Sequence, residues 1–139
     1  MLTIATRERM LAPMAGTVLL VHSPSDDRHM YAEYLRVHGY EVVEASTIDD
    51  GWARRADADV IVTGLMVPGS FDGLELVKRL RQHATGAAVP VIVLTARVTA
   101  RDRAEAEAAG CDIFLPKPCM PNELMAAIGT LVARSSRPA

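Results

Sequence analysis

The chain has 139 residues, 50% of them hydrophobic and 23% charged, with a formal net charge of −2. That length suits one domain with one proper core, and the balance excludes a disordered polymer. The charge argues against a general nucleic-acid binder, and no apolar run approaches the ~20 residues of a membrane-spanning helix, so the expectation is a cytoplasmic protein with neither nucleic acid nor membrane as partner.

Met1 to Ala15 mixes Thr, Arg, Glu and Pro without periodicity or a compact apolar stretch, so 1–15 reads as a disordered extension with no secretory signal. Thr17-Val18-Leu19-Leu20-Val21 is a continuous apolar run, the pattern of a strand buried on both faces. Ser23-Pro24-Ser25-Asp26-Asp27 supplies hydroxyls and carboxylates suited to the exposed amides at a helix start. That helix is predicted to reach about His38, with Met30, Tyr34, Leu35 and Val37 as its apolar side and Gly39 as its stop. Tyr40 to Ala45 alternates like a strand with one wetter face and belongs at a sheet edge. Thr47, with Asp50 following at capping distance, opens a short helix through Ala56.

A buried strand follows at Asp59 to Thr63, then a loop punctuated by Pro68 and Gly69. Asp72 with Glu75 caps a third helix that turns Leu74, Leu76, Val77 and Leu80 inward and Lys78, Arg79 and Arg81 outward. After a loop at Ala84 to Val89, Pro90 to Leu94 is a fourth strand, with Pro where no ladder donor is needed. Thr99 and Asp102 begin an Ala-rich helix ending at Gly110, Asp112 to Leu115 is a short fifth strand broken by Pro116-Lys117-Pro118, and Asn122 to Val132 forms the last helix. The folded domain is expected over 16–133, with 134–139 as a flexible tail. Five strands alternating with helices imply an α/β protein: a parallel sheet covered on both faces. Cys111 and Cys119 have neither CxxC spacing nor a companion His cluster, so two reduced thiols near the core are expected and a zinc site is not.

The stretch Leu65-Met66-Val67-Pro68 with Asp72-Gly73 occurs together with Val18-Leu19-Leu20-Val21, Gly39-Tyr40-Glu41-Val42, Val93-Leu94-Thr95-Ala96, Ala109-Gly110 and Lys117-Pro118. In that order these resemble the receiver domain of two-component response regulators, over Thr17 to Val132. The resemblance implies a flavodoxin-like doubly wound sheet of strand order 2-1-3-4-5. It also implies an active site: an acidic pair after the first strand, an acceptor Asp ending the third, a Thr ending the fourth and a Lys ending the fifth. In that family the acids hold Mg²⁺ while the hydroxyl and ammonium bind the transferred phosphoryl group.

Here His22 and Ser23 stand in place of the acidic pair and Gly64 in place of the acceptor, whereas Thr95 and Lys117 remain. Phe114 occupies the place of the aromatic that changes rotamer on activation. The expectation is therefore a degenerate receiver: no catalyst, no cofactor, Mg²⁺ binding lost or weak, and no phosphorylation at the usual position. Asp26 and Asp27 lie in the first turn of the following helix and would have to reach back about 5–10 Å. Lys117, without its usual anion, is expected to turn to backbone carbonyls, to one of those two acids, or to a bound anion. His22 is weighed as a phosphoryl or metal acceptor against a structural role.

Two functions of different class follow. One is a stand-alone, phosphorylation-independent interaction module whose partner is a histidine kinase or a downstream signalling protein. By resemblance its docking surface, or a homodimer interface, is the fourth helix, fifth strand and fifth helix. The last helix supports this if Leu124, Ile128 and Leu131 face inward, because Glu123, Met125, Ala126, Gly129 and Val132 then form an apolar outer stripe with one acid. The other is a small-ligand or anion sensor that uses Thr95, Lys117 and the space beside Gly64.

Overall fold

The computed structural model describes residues 15–83 and 87–135. The expectations for 1–14, for 84–86 and for 136–139 lie outside the described residues. Strands β1 (Gly16–Val21), β2 (Tyr40–Ala45), β3 (Val60–Thr63), β4 (Val91–Thr95) and β5 (Ile113–Pro116) alternate with helices α1 (Ser25–Val37), α2 (Ile48–Ala53), α3 (Gly73–Gln82), α4 (Ala100–Ala109) and α5 (Pro121–Ser135). One turn of 3₁₀ helix, Arg55–Asp57, joins α2 to β3. The strands form one parallel sheet in the order β2-β1-β3-β4-β5. No helix among the described residues is long and apolar enough to cross a membrane.

Alternation along the strands divides the core in two. Val18, Leu20, Val60, Val62, Ile92 and Leu94 pack on one face under α1 and α5. Leu19, Val21, Ile61, Val91, Val93 and Phe114 pack on the other under α2, α3 and α4. Because β1, β3 and β4 are covered on both sides, their residues run continuously apolar, as such strands must. The helix starts expected at Thr47, Asp72 and Thr99 are made: each side chain accepts from the third amide of its helix, and Asp102 completes a capping box with Thr99.

Four expectations need correction. The hydroxyl or carboxylate cap of α1 is not made; Pro24 is its N-cap, and the Pro24 carbonyl accepts from the Arg28 amide. The buried stripe of α1 is Arg28, Tyr31, Ala32 and Leu35, whereas Met30 and Val37 are 44% and 76% exposed. An Arg in the core-facing row disguised the true periodicity. Arg81 does not point outward: its guanidinium donates to the carbonyls of Gly110 and Val89 and pairs with Asp112 at 3.0 Å, strapping α3 to β5. The last helix starts at Pro121 and runs through Ser135, longer at both ends than the predicted Asn122 to Val132.

In α5, Leu124, Ile128 and Leu131 are buried as expected. The outer stripe is thinner than the sequence implied, because Met125 and Val132 are half-buried against the core and only Glu123 and Ala126 of the candidate partner residues are exposed. A single helix face can hide flanking apolar side chains when its buried arc exceeds the ~100° minimum.

Candidate functional site

In a sheet of this order the strands change direction of growth between β1 and β3, and a crevice opens at their carboxyl ends. His22 follows β1 and Gly64 follows β3. The Gly64 amide donates to the Val21 carbonyl, and the Lys117 amide to that of Thr95, so both loop residues are pinned to neighbouring strands. The Gly64 loop is held from beneath. A Cβ at Gly73 would run into the Gly64 carbonyl, so only glycine lets α3 start this close to the loop. The Gly73 amide donates to the Leu65 carbonyl, and the buried Thr63 hydroxyl donates to that of Gly64.

The structure brings His22, Ser23, Gly64, Thr95 and Lys117 together around a cavity of about 200 Å³. Lys117 Nζ lies 2.7 Å from His22 Nε2 and 3.0 Å from Asp27 Oδ2. Of the destinations expected for Lys117, Asp27 is therefore the one taken. Asp27 does not itself line the cavity; the four-carbon lysine stem carries the ammonium to it.

The ammonium donates to Nε2, so the neutral imidazole carries its proton on Nδ1. That Nδ1 is buried and has no hydrogen-bond partner among the described residues. Burial, and then the nearby Lys117 charge, hold the pKa of His22 down from 6.5 to about 4. It is neutral at physiological pH. The Thr95 hydroxyl accepts from the Arg97 amide at 3.0 Å, and Phe114 lies packed inward with 5% exposure, the Arg103 guanidinium 5.3 Å from its ring.

Sequence reasoning missed Arg28 and Tyr31. Arg28 is 8% exposed, donates to the His22 carbonyl at 3.0 Å, and pairs with Glu44 at 3.0 Å. It fixes the backbone that aims His22 into the crevice. Tyr31 stands edge-on to His22 with ring centroids 6.1 Å apart and donates its hydroxyl to the Cys119 carbonyl at 2.7 Å. The only available signal was their spacing with Ala32 and Leu35, a one-face helical row that happens to begin with a cation. The two thiols are placed as expected: Cys119 is buried, and burial pushes Cys111 up to about 11, so neither is a reactive thiolate.

A hard cation wants several oxygens, and among the described residues no group of three or more His, Cys, Asp or Glu side chains is placed to hold a metal. Asp27, the carboxylate that Lys117 engages, is not among the residues lining the cavity. Nor is His22 a free nucleophile, since its one unprotonated nitrogen is the one that accepts from Lys117.

A family model of the response regulator receiver domain matches residues 18–129, and the chain belongs to that family. Among curated proteins it is similar to the phosphate regulon transcriptional regulatory protein PhoB of Klebsiella pneumoniae, with 33% identity over 88% of this chain and 54% of that protein. It is likewise similar to Protein PetR of Rhodobacter capsulatus, with 34% identity over 90% of this chain and 52% of that protein. The chain thus spans about half the length of these relatives. Among solved structures, the receiver domain of sensor histidine kinase PA1611 from Pseudomonas aeruginosa has a TM-score of 0.77 at 25% identity, covering 85% of this chain and 98% of that one, and was solved with magnesium in its active-site cleft. Chemotaxis protein CheY4 of Vibrio cholerae has a TM-score of 0.76 at 28% identity, covering 83% of this chain and 97% of that one. The fold and strand order expected from the sequence are those of this family.

Proposed function

We propose that this chain is a degenerate receiver: a cytoplasmic two-component signalling module that works by shape and contact, without aspartyl phosphorylation and without catalysis. The observation that carries this reading is Gly64 at the end of β3, where it offers no nucleophile, beside a Lys117 whose charge is met by Asp27. Each carboxylate the phosphotransfer chemistry requires is replaced, by His22, Ser23 or Gly64. Among the described residues no group of three or more His, Cys, Asp or Glu side chains offers a donor set for the Mg²⁺ that the family uses. Partners of the histidine kinase or downstream signalling class suit such a module, and a surface or homodimer interface on α4, β5 and α5 remains part of the proposal through Glu123 and Ala126. Phosphate sensing is disfavoured, because Lys117, the one cation lining the crevice among the described residues, already has a carboxylate partner.

The reading is tested by titrating Mg²⁺ into the full chain and following the amides of His22 and Gly64 by NMR. No saturable shift with a dissociation constant below about 1 mM is expected. The triple variant His22→Asp, Ser23→Asp, Gly64→Asp should gain one. Gly64→Asp alone should not, since a Cβ there already sits 3.3 Å from both His22 Nδ1 and Val67 Cγ2. Tight Mg²⁺ binding by the unaltered chain would refute the proposal.

A further inference from the structure

Helix α1 carries two apolar rows, and the fold buries one of them. Tyr31, Ala32 and Leu35 are buried, whereas Met30 and Val37 stand exposed on the outer side with Tyr34 half-buried between them. The outer three line an open groove of about 600 Å³ that also carries the carboxylates of Asp26 and Glu33. We propose that the chain's own segment 1–14 lies in this groove, with Met10 and Leu11 against Val37 and Met30 and with Arg7 and Arg9 toward the two acids. The inference goes beyond the reading above and is independent of the crevice.

The first argument is the place where the segment joins the fold. The Ala15 amide donates to the Gly39 carbonyl at 3.1 Å, so the chain arrives two residues past Val37, at that end of the groove. Gly16, with φ 144°, adopts a conformation that favours glycine and lets the chain change direction as it enters β1. The second is length. From Val37 to Asp26 the helix rises by about 16 Å, which about five extended residues cover; from Ala15 back to Arg9, and then to Arg7, the segment has the reach to follow the groove to its far acid.

The third argument is charge. On the same helix Asp27 pairs with Lys117, and Arg28 and Arg36 pair with Glu44. Asp26 and Glu33 have no ion-pair partner among the described residues. The segment brings the run Arg7-Glu8-Arg9, with an excess of positive charge, directly before the apolar pair Met10-Leu11. Read from Val37 toward Asp26, apolar contact and then carboxylate meets apolar pair and then arginine. Tethering favours this occupant over a second copy or a separate partner, because a short linker gives an effective concentration in the millimolar range. A groove filled this way is closed to other proteins, so the segment is a built-in cover for the outer face of α1.

The test is NMR on the unaltered full chain with labelled methyl groups. Cross-relaxation is expected between the methyls of Met10 or Leu11 and those of Met30 or Val37, and it should survive tenfold dilution. Trypsin, which cuts after arginine, gives a second readout at Arg7 and Arg9. Val37→Glu should speed those cuts by about tenfold, the factor expected for losing one apolar side chain's burial. Glu33→Arg should speed them by about threefold, the value of a surface ion pair. Both positions are exposed; if either variant fails to fold, the methyl contacts of the unaltered chain decide. The proposal is overturned by the absence of any contact between residues 1–14 and α1, by contacts that vanish on dilution and so belong to a second copy, or by cleavage that Val37→Glu leaves unchanged. Cleavage unmoved by Glu33→Arg would overturn the placement of the arginines.

Discussion

Along the β1–β3 wall of the crevice stand His22, Ser23 and Gly64, where receivers carry acid; along the β4–β5 wall stand Thr95 and Lys117, as receivers have them. The two walls are joined through one side chain. Lys117 spans the gap and turns its ammonium to His22 and to Asp27 of α1, so the retained cation now holds the altered wall in place. The Thr95 hydroxyl accepts one bond from the Arg97 amide of its own loop. On the reading proposed above, keeping a residue differs from keeping its role, and the difference lies in which anion the residue faces.

The largest effect is expected where the Gly64 loop meets α3. Gly73→Ala would force a methyl into the Gly64 carbonyl and should destabilise the protein by about 3 kcal/mol or more, read from urea unfolding, whereas Gly64→Ala, with contacts no tighter than 3.3 Å, should cost under about 1.5 kcal/mol. If the two ranked the other way, the loop would not be held by Gly73 as described.

Next in size is a pH effect from the altered wall. The folded state keeps His22 neutral down to about pH 4, while the unfolded chain protonates it near 6.5. The unfolded state thus binds the extra proton between those values. This contribution to stability is full above pH 6.5 and is lost as pH falls toward 4, by roughly 3 kcal/mol. His22→Phe should flatten that part of the pH profile. An unchanged slope in the variant would show that His22 is not the group responsible.

The smallest effect tests the link between the walls. Lys117→Met removes a cation that disfavours imidazolium and frees Nε2, so the His22 pKa should rise from about 4 toward 6.5 in an NMR titration. Stability should fall by only about 1 kcal/mol, because the Asp27 carboxylate is 45% exposed and the ion pair is partly screened. A His22 pKa that stays put would mean the two residues are not electrostatically joined.

Much of this was legible in the sequence for identifiable reasons. Doubly buried strands need continuous apolar runs, so β1, β3 and β4 announce themselves, and Thr47, Asp72 and Thr99 are caps whose partners lie within one helical turn. The absence of acid at positions 22, 23 and 64 is likewise a fact about single residues. What stayed hidden depends on contacts between distant segments. Arg28 is buried because Glu44 on β2 and the His22 carbonyl receive it, and Arg81 because Gly110, Val89 and Asp112 do. Asp27 is tied to the crevice because Lys117 extends its ammonium to it across 90 residues of sequence, a contact no local pattern shows. Met125 and Val132 turn inward because α5 settles into the sheet by more than its three-residue core row.

The most direct measurement of the central claim is intact-mass spectrometry of the full chain after incubation with phosphoramidate and Mg²⁺. The account predicts that the chain remains at its unmodified mass, with no hydroxylamine-sensitive phosphoryl adduct. A phosphoryl adduct on the chain, whether at Asp26, Asp27 or any other residue, would contradict it.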